Sequence, residues 1–237
     1  MLQKNRISSV KIHSEEWHQN RLAKFTSSEI HLLMGSGAIN YIRRKVGEEL
    51  TGKASKGEID TEATRWGSFY EAEAITKFGR SKGLTFLVVQ QLVCEPNNGR
   101  FGGTPDAIIP IRESPDGTEW EVETVEVKCP PSFDGYLLLW ECENAEDLKR
   151  AKKEYYWQVL DQMELCGCLV AYFVVYHPDF KAGNLKVLRI QANSPVEVKG
   201  KKTYPVHDDL KLLREKKKWA SEQFDLLRSK LMAIPAV

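Results

Sequence analysis

The sequence contains no apolar run long enough to cross a bilayer, and its opening MLQKNRISSVKIHSEEW lacks the apolar segment of a secretory signal. A soluble, cytoplasmic protein with no membrane partner is therefore expected. Net charge is nearly absent too: 34 basic residues against 33 acidic ones leave +1, so the overall balance does not announce a nucleic-acid binder and any polyanion site must be local. Cysteine is scarce and odd in number. Cys94, Cys129, Cys142, Cys166 and Cys168 show no CxxC or Cys/His spacing, so neither a disulfide framework nor a structural zinc site is indicated; Cys166 and Cys168 read as buried thiols near a helix end. No repeat, low-complexity tract or linker divides the chain, and 42% apolar residues over 237 positions suffice for a core. A single domain over residues 1–237 is expected.

What is present is a change of periodicity along the chain. FTSSEIHLLMG offers Thr26, Ser27 or Ser28 as the N-cap of a short helix that stops near Gly35. NYIRRKVGEELTG and ATRWGSFYEAEAITKFGRSKG carry helical stripes, Tyr41, Ile42, Val46 and Leu50 in the first and Phe69, Ala72, Ile75 and Phe78 in the second. From Leu84 onward β-branched and aromatic residues take over. LTFLVVQQLVCEP reads as strand, while FGGTPDAIIPI and EWEVETVEVKCP read as a hairpin turning at Asp116-Gly117, with a bulge where the alternation slips between Val122 and Val125. AEDLKRAKKEYYWQVLDQMELCG reads as one long amphipathic helix ending at Gly167, LVAYFVVYHPDF and LKVLRIQA as two further strands, and HDDLKLLREKKKWASEQFDLLRSKL as a C-terminal helix. This order predicts an α/β (α+β) fold with a central mixed sheet flanked by helices: a helical part over about 15–82, a core over about 83–192 and a C-terminal helix over about 205–232.

One strand carries chemistry where a core should be. In VEVK, Val125 and Val127 point one way while Glu126 and Lys128 point the other. Spacing alone leaves two readings open: a half-buried strand whose solvent face carries an ion pair, or an acid and an ammonium placed for a reaction. The hairpin adds Asp106, which follows Pro105 and is brought toward Glu126, and two convergent carboxylates suit a hard divalent cation. Lys128 beside them would hold or polarise a water, or stabilise charge building on a phosphate.

A Pro-Asp followed by Glu-x-Lys on the next strand resembles the metal-dependent PD-(D/E)xK nucleases with their restriction-endonuclease-like core. The segments WHQNRLAKFTSSE, RWGSFYE, GGTPDA, VEVKCP, YYWQVLDQMELCG and AYFVVYHPDF, spread from Trp17 to Phe180, are similar in order and spacing to the phage lambda-type exonucleases and the related YqaJ viral recombinase family. The resemblance implies that Asp106 and Glu126 bind metal with the Val127 carbonyl, that Lys128 is the catalytic lysine, and that Glu71 and Gln158 stand beside the centre. It implies a 5′-phosphate pocket from Arg21 and Ser28, consistent with the way a guanidinium and free helix-terminal amides take an anion. From spacing alone a surface arginine and an N-cap serine would be the reading, as a solvated helix face would be for Lys149, Arg150, Lys152 and Lys153, the best local candidates for a DNA-contacting basic patch.

The resemblance further implies a 5′ to 3′ exonuclease on linear double-stranded DNA that uses two Mg²⁺ ions, with Mn²⁺ as a substitute, and leaves 3′ single strands for annealing-type recombination. A ring-shaped homotrimer and a single-strand annealing protein as partner belong to the same expectation. Two segments depart from the lambda type: RESPDGTEW lengthens the hairpin between Asp106 and Glu126, and MGSGAIN is shorter than the matching basic loop. The competing readings are a RecB-like nuclease of different polarity, its iron–sulfur relatives, whose cysteine arrangement is missing here, and a non-catalytic DNA-end-binding scaffold on the same fold.

Overall fold

The computed structural model describes residues 1–55, 61–84, 88–96, 99–198 and 201–234. In chain order its strands are β1 (Leu2–Gln3), β2 (Phe25–Thr26), β3 (Val88–Val89), β4 (Val93–Cys94), β5 (Phe101–Gly103), β6 (Ala107–Glu113), β7 (Glu119–Lys128), β8 (Val170–Tyr176), β9 (Leu185–Gln191), β10 (Val196–Val198) and β11 (Lys201–Thr203). The α-helices are α1 (Glu15–Arg21), α2 (Ala38–Thr51), α3 (Glu62–Lys82), α4 (Phe133–Trp140), α5 (Ala145–Ala151), α6 (Lys153–Cys166) and α7 (Pro205–Met232). The main sheet runs β3-β6-β7-β8-β9, with β1 also on β7. β7 and β8 are parallel while the β6–β7 and β8–β9 pairs are antiparallel, so the fold is mixed α/β with a central mixed sheet flanked by helices. Among the described residues no helix is long and apolar enough to cross a membrane.

Strand alternation decides what each face buries. Ala107, Ile109, Val125, Val127, Tyr172, Val174 and Tyr176 pack with Ala74, Ile75 and Phe78 of α3. Ile108, Val122, Phe173, Val175, Leu188 and Ile190 turn to the opposite face and join the larger core built with α6, α7 and α2. Val125 and Val174 are fully buried, and burial of a side chain of that size contributes about 1.5–3 kcal/mol. Both faces of β7 are therefore covered, and Glu126 lies on the α6 face of a central strand rather than on a solvent face.

Several sequence expectations shift in detail. The FTSSEIHLLMG helix is 3-10, over Ser27–Met34, and it begins after Thr26 without a side-chain cap bond. In α3 the buried stripe is Ala74, Ile75, Phe78 and Gly79, whereas Phe69 is 76% exposed; Leu50 of α2 is likewise exposed. The strand expected over LTFLVVQQLVCEP is two short pieces, β3 and β4, and its residues 85–87 lie outside the described ones. The bulge falls on β6, not on β7: Pro110 pairs with Val122 and Arg112 with Glu121, which leaves Ile111 between them without a partner. The long helix is broken in two at Lys152, whose φ of -149° is extended. Its far end is as expected, since Gly167 closes α6 at φ 63°, a left-handed conformation that glycine adopts without strain.

Candidate active site

Register builds the site. The hairpin pairs Ala107 with Val125, so Asp106, one residue before β6, comes level with Glu126. The RESPDGTEW segment lies at the far end of the hairpin, where Arg112 and Glu113 pair with Glu121 and Trp120 and residues 114–118 make the turn. Asp116 stabilises that turn by accepting from Ser114 Oγ at 2.6 Å and Thr118 N at 3.2 Å. Asp106 Oδ2 accepts the Val127 backbone N–H at 2.6 Å, and the Asp106 carbonyl accepts the Gln90 N–H at 3.1 Å. Gln90, at φ 51°, then donates through Nε2 to Glu71 Oε1 at 2.6 Å. Gln90 thereby ties the α3 acid to the strand that carries Asp106.

Glu126 is 1% exposed and accepts three side-chain donors. Lys128 Nζ and Gln158 Nε2, the latter at 2.5 Å, meet Oε1, and Gln162 Nε2 meets Oε2 at 2.5 Å. Lys128 lies over the Tyr155 ring at 5.0 Å. Burial alone would lower its pKa, but Glu126 and Asp106 outweigh that and hold it above the ordinary lysine value. Asp106 goes the other way from an ordinary carboxylate. Burial, then the charges of Glu126 and Glu71, push its pKa well up, and the partial relief from Lys128 and the Val127 N–H does not cancel them. Glu71 is raised as well, by burial first and by Glu126 after it, against the Gln90 hydrogen bond.

Three acids held near one another against their own repulsion are suited to a cation. Among the described residues no three Asp, Glu, His or Cys side chains stand close enough to ligate one ion, so a cation here would have to take a backbone oxygen as well, the place the resemblance gives to the Val127 carbonyl. The donors are all oxygens, the chemistry that a hard divalent ion takes.

Beside these acids opens a cleft of about 350 Å³ lined by His13, Arg21, Ser28, Glu71, Asp106 and Gln158 among others. Arg21 lies over the Trp17 ring at 4.2 Å and donates to Thr104 Oγ1 at 3.3 Å; burial lowers its pKa from the ordinary arginine value. Ser28 is exposed at the start of the 3-10 turn, its Oγ 3.4 Å from Thr26 Oγ1. The neighbouring Ser27 donates to Asp161 Oδ2 at 2.6 Å, and Lys217 of α7 binds the other oxygen at 3.1 Å.

The four cations expected to contact DNA lie outside this cleft. Lys149 pairs with Asp209 at 2.5 Å and Arg150 with Asp147, while Lys152 forms the α5–α6 joint 3.9 Å from Glu154. Neither these three nor Lys153 line the cleft. Gln162 and Gln90 were not legible as site residues. The available signal was that Gln162 follows Gln158 by four positions and so shares its helix face.

The model of the YqaJ-like viral recombinase domain matches residues 16–169, a span that includes Arg21, Ser28, Glu71, Asp106, Glu126, Lys128 and Gln158. Among solved structures, an alkaline exonuclease from Laribacter hongkongensis (LHK-Exo) superimposes with TM-score 0.63 at 21% identity, covering 92% of this chain and 98% of its own; the same enzyme is also solved with dAMP. A phage-related exonuclease from Haemophilus somnus 129PT gives TM-score 0.59 at 17% identity, covering 88% and 96%. No curated protein matches the sequence. At these identities the superpositions speak to the fold, while the match over residues 16–169 speaks to descent: the chain belongs to the YqaJ-like viral recombinase domain family.

Proposed function

We propose that this protein is a metal-dependent 5′ to 3′ exonuclease of linear double-stranded DNA that leaves 3′ single strands for recombination by annealing. Membership of a viral recombinase family and a fold shared with exonucleases support a nuclease that acts on DNA. The observation that carries the finer reading is that one cleft is lined both by Arg21 and Ser28 and by Glu71, Asp106 and Gln158. Such a cleft suits two consecutive phosphates, the terminal one on the cationic wall and the scissile one on the acids.

Asp106, Glu126 and the Val127 carbonyl, with Glu71 opposite, would hold Mg²⁺ or Mn²⁺, in a pair if both ions bind; when bound, the metal supplies an activated water and charge stabilisation at the departing oxygen. Lys128, which donates to Glu126 Oε1 beside Asp106, would orient or help deprotonate the attacking water and stabilise charge building on the phosphate. Water oxygen bonds to phosphorus, the phosphorus–O3′ bond breaks, and the 3′ oxygen leaves with a proton on the terminal 5′-mononucleotide. The shortened strand then begins with a new 5′-phosphate, which Arg21 and Ser28 can take in turn. Packing against Trp17 and Thr104 keeps the guanidinium in place between rounds. A homotrimeric ring around the duplex and an annealing partner for the 3′ strand complete the reading. The test is release of acid-soluble nucleotides from 5′-phosphorylated linear duplex, with Mg²⁺ or with EDTA, beside a covalently closed circle. Metal-dependent digestion of the linear form alone is expected; cutting of the circle would make the protein an endonuclease, and inertness toward both would favour an end-binding scaffold.

A further inference from the structure

We propose that Gln162 is a positioning residue that fixes the orientation of the Glu126 carboxylate for cation binding; the inference rests on the reading of Glu126 as a metal ligand given above. Of the three donors on Glu126, Lys128 is 23% exposed along its side chain and Gln158 lines the cleft, so both can turn toward substrate. Gln162 cannot. It is 1% exposed, one helical turn further along α6, and it donates to Oε2 at 2.5 Å while the other two share Oε1. One oxygen is thus held from the protein interior and the other from the cleft side.

The amide orientation is dictated by its partner. A carboxylate oxygen only accepts, so Nε2 must face Glu126 and Oε1 must turn away. That Oε1 is buried and has no hydrogen-bond partner. A buried carbonyl left unpaired is a liability that an apolar side chain of the same length would remove. An apolar side chain would relieve that oxygen but leave Glu126 Oε2 buried without its donor, so what the amide serves here is the carboxylate it holds. Partners that orient a metal-binding carboxylate typically change metal affinity or activity about 10–100-fold when removed.

The test compares the full-length wild type with Gln162→Met and Gln162→Leu, and with Glu126→Gln as the ligand-loss control. Mn²⁺ affinity is read from the paramagnetic resonance signal of the free ion, folding from thermal unfolding in EDTA, and kcat and KM from digestion of linear duplex. The apolar variants should melt below the wild type, because Glu126 Oε2 loses its donor. Assayed well below that melting temperature, they should bind Mn²⁺ about 10–100-fold more weakly and lose kcat with little change in KM. Wild-type Mn²⁺ affinity in Gln162→Met together with a lowered melting temperature would assign the amide to structure and overturn the inference. Failure of both apolar variants to fold would overturn it equally. A wild type that binds no Mn²⁺ would instead remove the metal-site reading on which the inference stands, and the inference with it.

Discussion

Replacing Asp106 by Asn should destroy cleavage and yet stabilise the metal-free protein. The Asn side chain keeps an oxygen for the Val127 N–H, the bond that Asp106 makes at 2.6 Å, and it removes a charge that burial, Glu126 and Glu71 all disfavour. Because the folded-state pKa is raised, the native protein holds this proton more tightly than the unfolded chain does. Stability is therefore lost as pH rises from the ordinary carboxylate range through the raised value, and the penalty is complete above it. A single stabilising substitution commonly gains about 0.5–2 kcal/mol, which in a chain of this size corresponds to about 1–8 °C in melting temperature. Thermal unfolding in EDTA should show Asp106→Asn above the wild type at neutral pH and the two converging near about pH 4. Adding Mg²⁺ should reverse the order, since a ligand at one hundred times its Kd stabilises the form that binds it by about 2.7 kcal/mol. An Asp106→Asn variant that melts at or below the wild type in EDTA at neutral pH would refute the claim that the three acids are held against their repulsion.

Lys217 is 4% exposed and binds Asp161 at 3.1 Å and Glu164 at 2.7 Å, so Lys217→Met strands a buried carboxylate and should cost about 3–5 kcal/mol, or about 6–20 °C; urea titration should show Asp161→Asn restoring part of the loss in the double variant. Arg21→Ala should bring the rates on 5′-phosphorylated and 5′-hydroxyl ends together, and an unchanged ratio would place phosphate recognition away from Trp17 and Thr104. Lys128→Ala should lower kcat by at least about 10²–10³ in a protein that still binds DNA ends, as measured by single-turnover cleavage beside a gel-shift titration.

How much of this was legible in the sequence differs from residue to residue. Strand alternation put Glu126 and Lys128 on one face and the valines on the other, and the structure has that division. Alternation could not say what covers the polar face, because burial by α6 depends on a parallel β7–β8 pairing that no local pattern records. Gln162 stayed hidden for a related reason: within an amphipathic helix, a glutamine that turns inward to a carboxylate looks like one at the edge of the polar face. The break at Lys152 has no glycine or proline to announce it, and the Lys149 pairing with Asp209 of α7 is a tertiary contact that removes a cation from a patch that reads as continuous in sequence. Phe69 shows the reverse error, an apolar residue at helical spacing that faces out.

The most direct test places a radiolabel on the 5′ or the 3′ terminus of one strand of a linear duplex and follows its release in Mg²⁺ by wild type and Glu126→Gln. The 5′ label should appear at once as mononucleotide, the 3′ label should stay in long fragments until late, and Glu126→Gln should release neither. Early release of the 3′ label, or undiminished digestion by Glu126→Gln, would contradict the account.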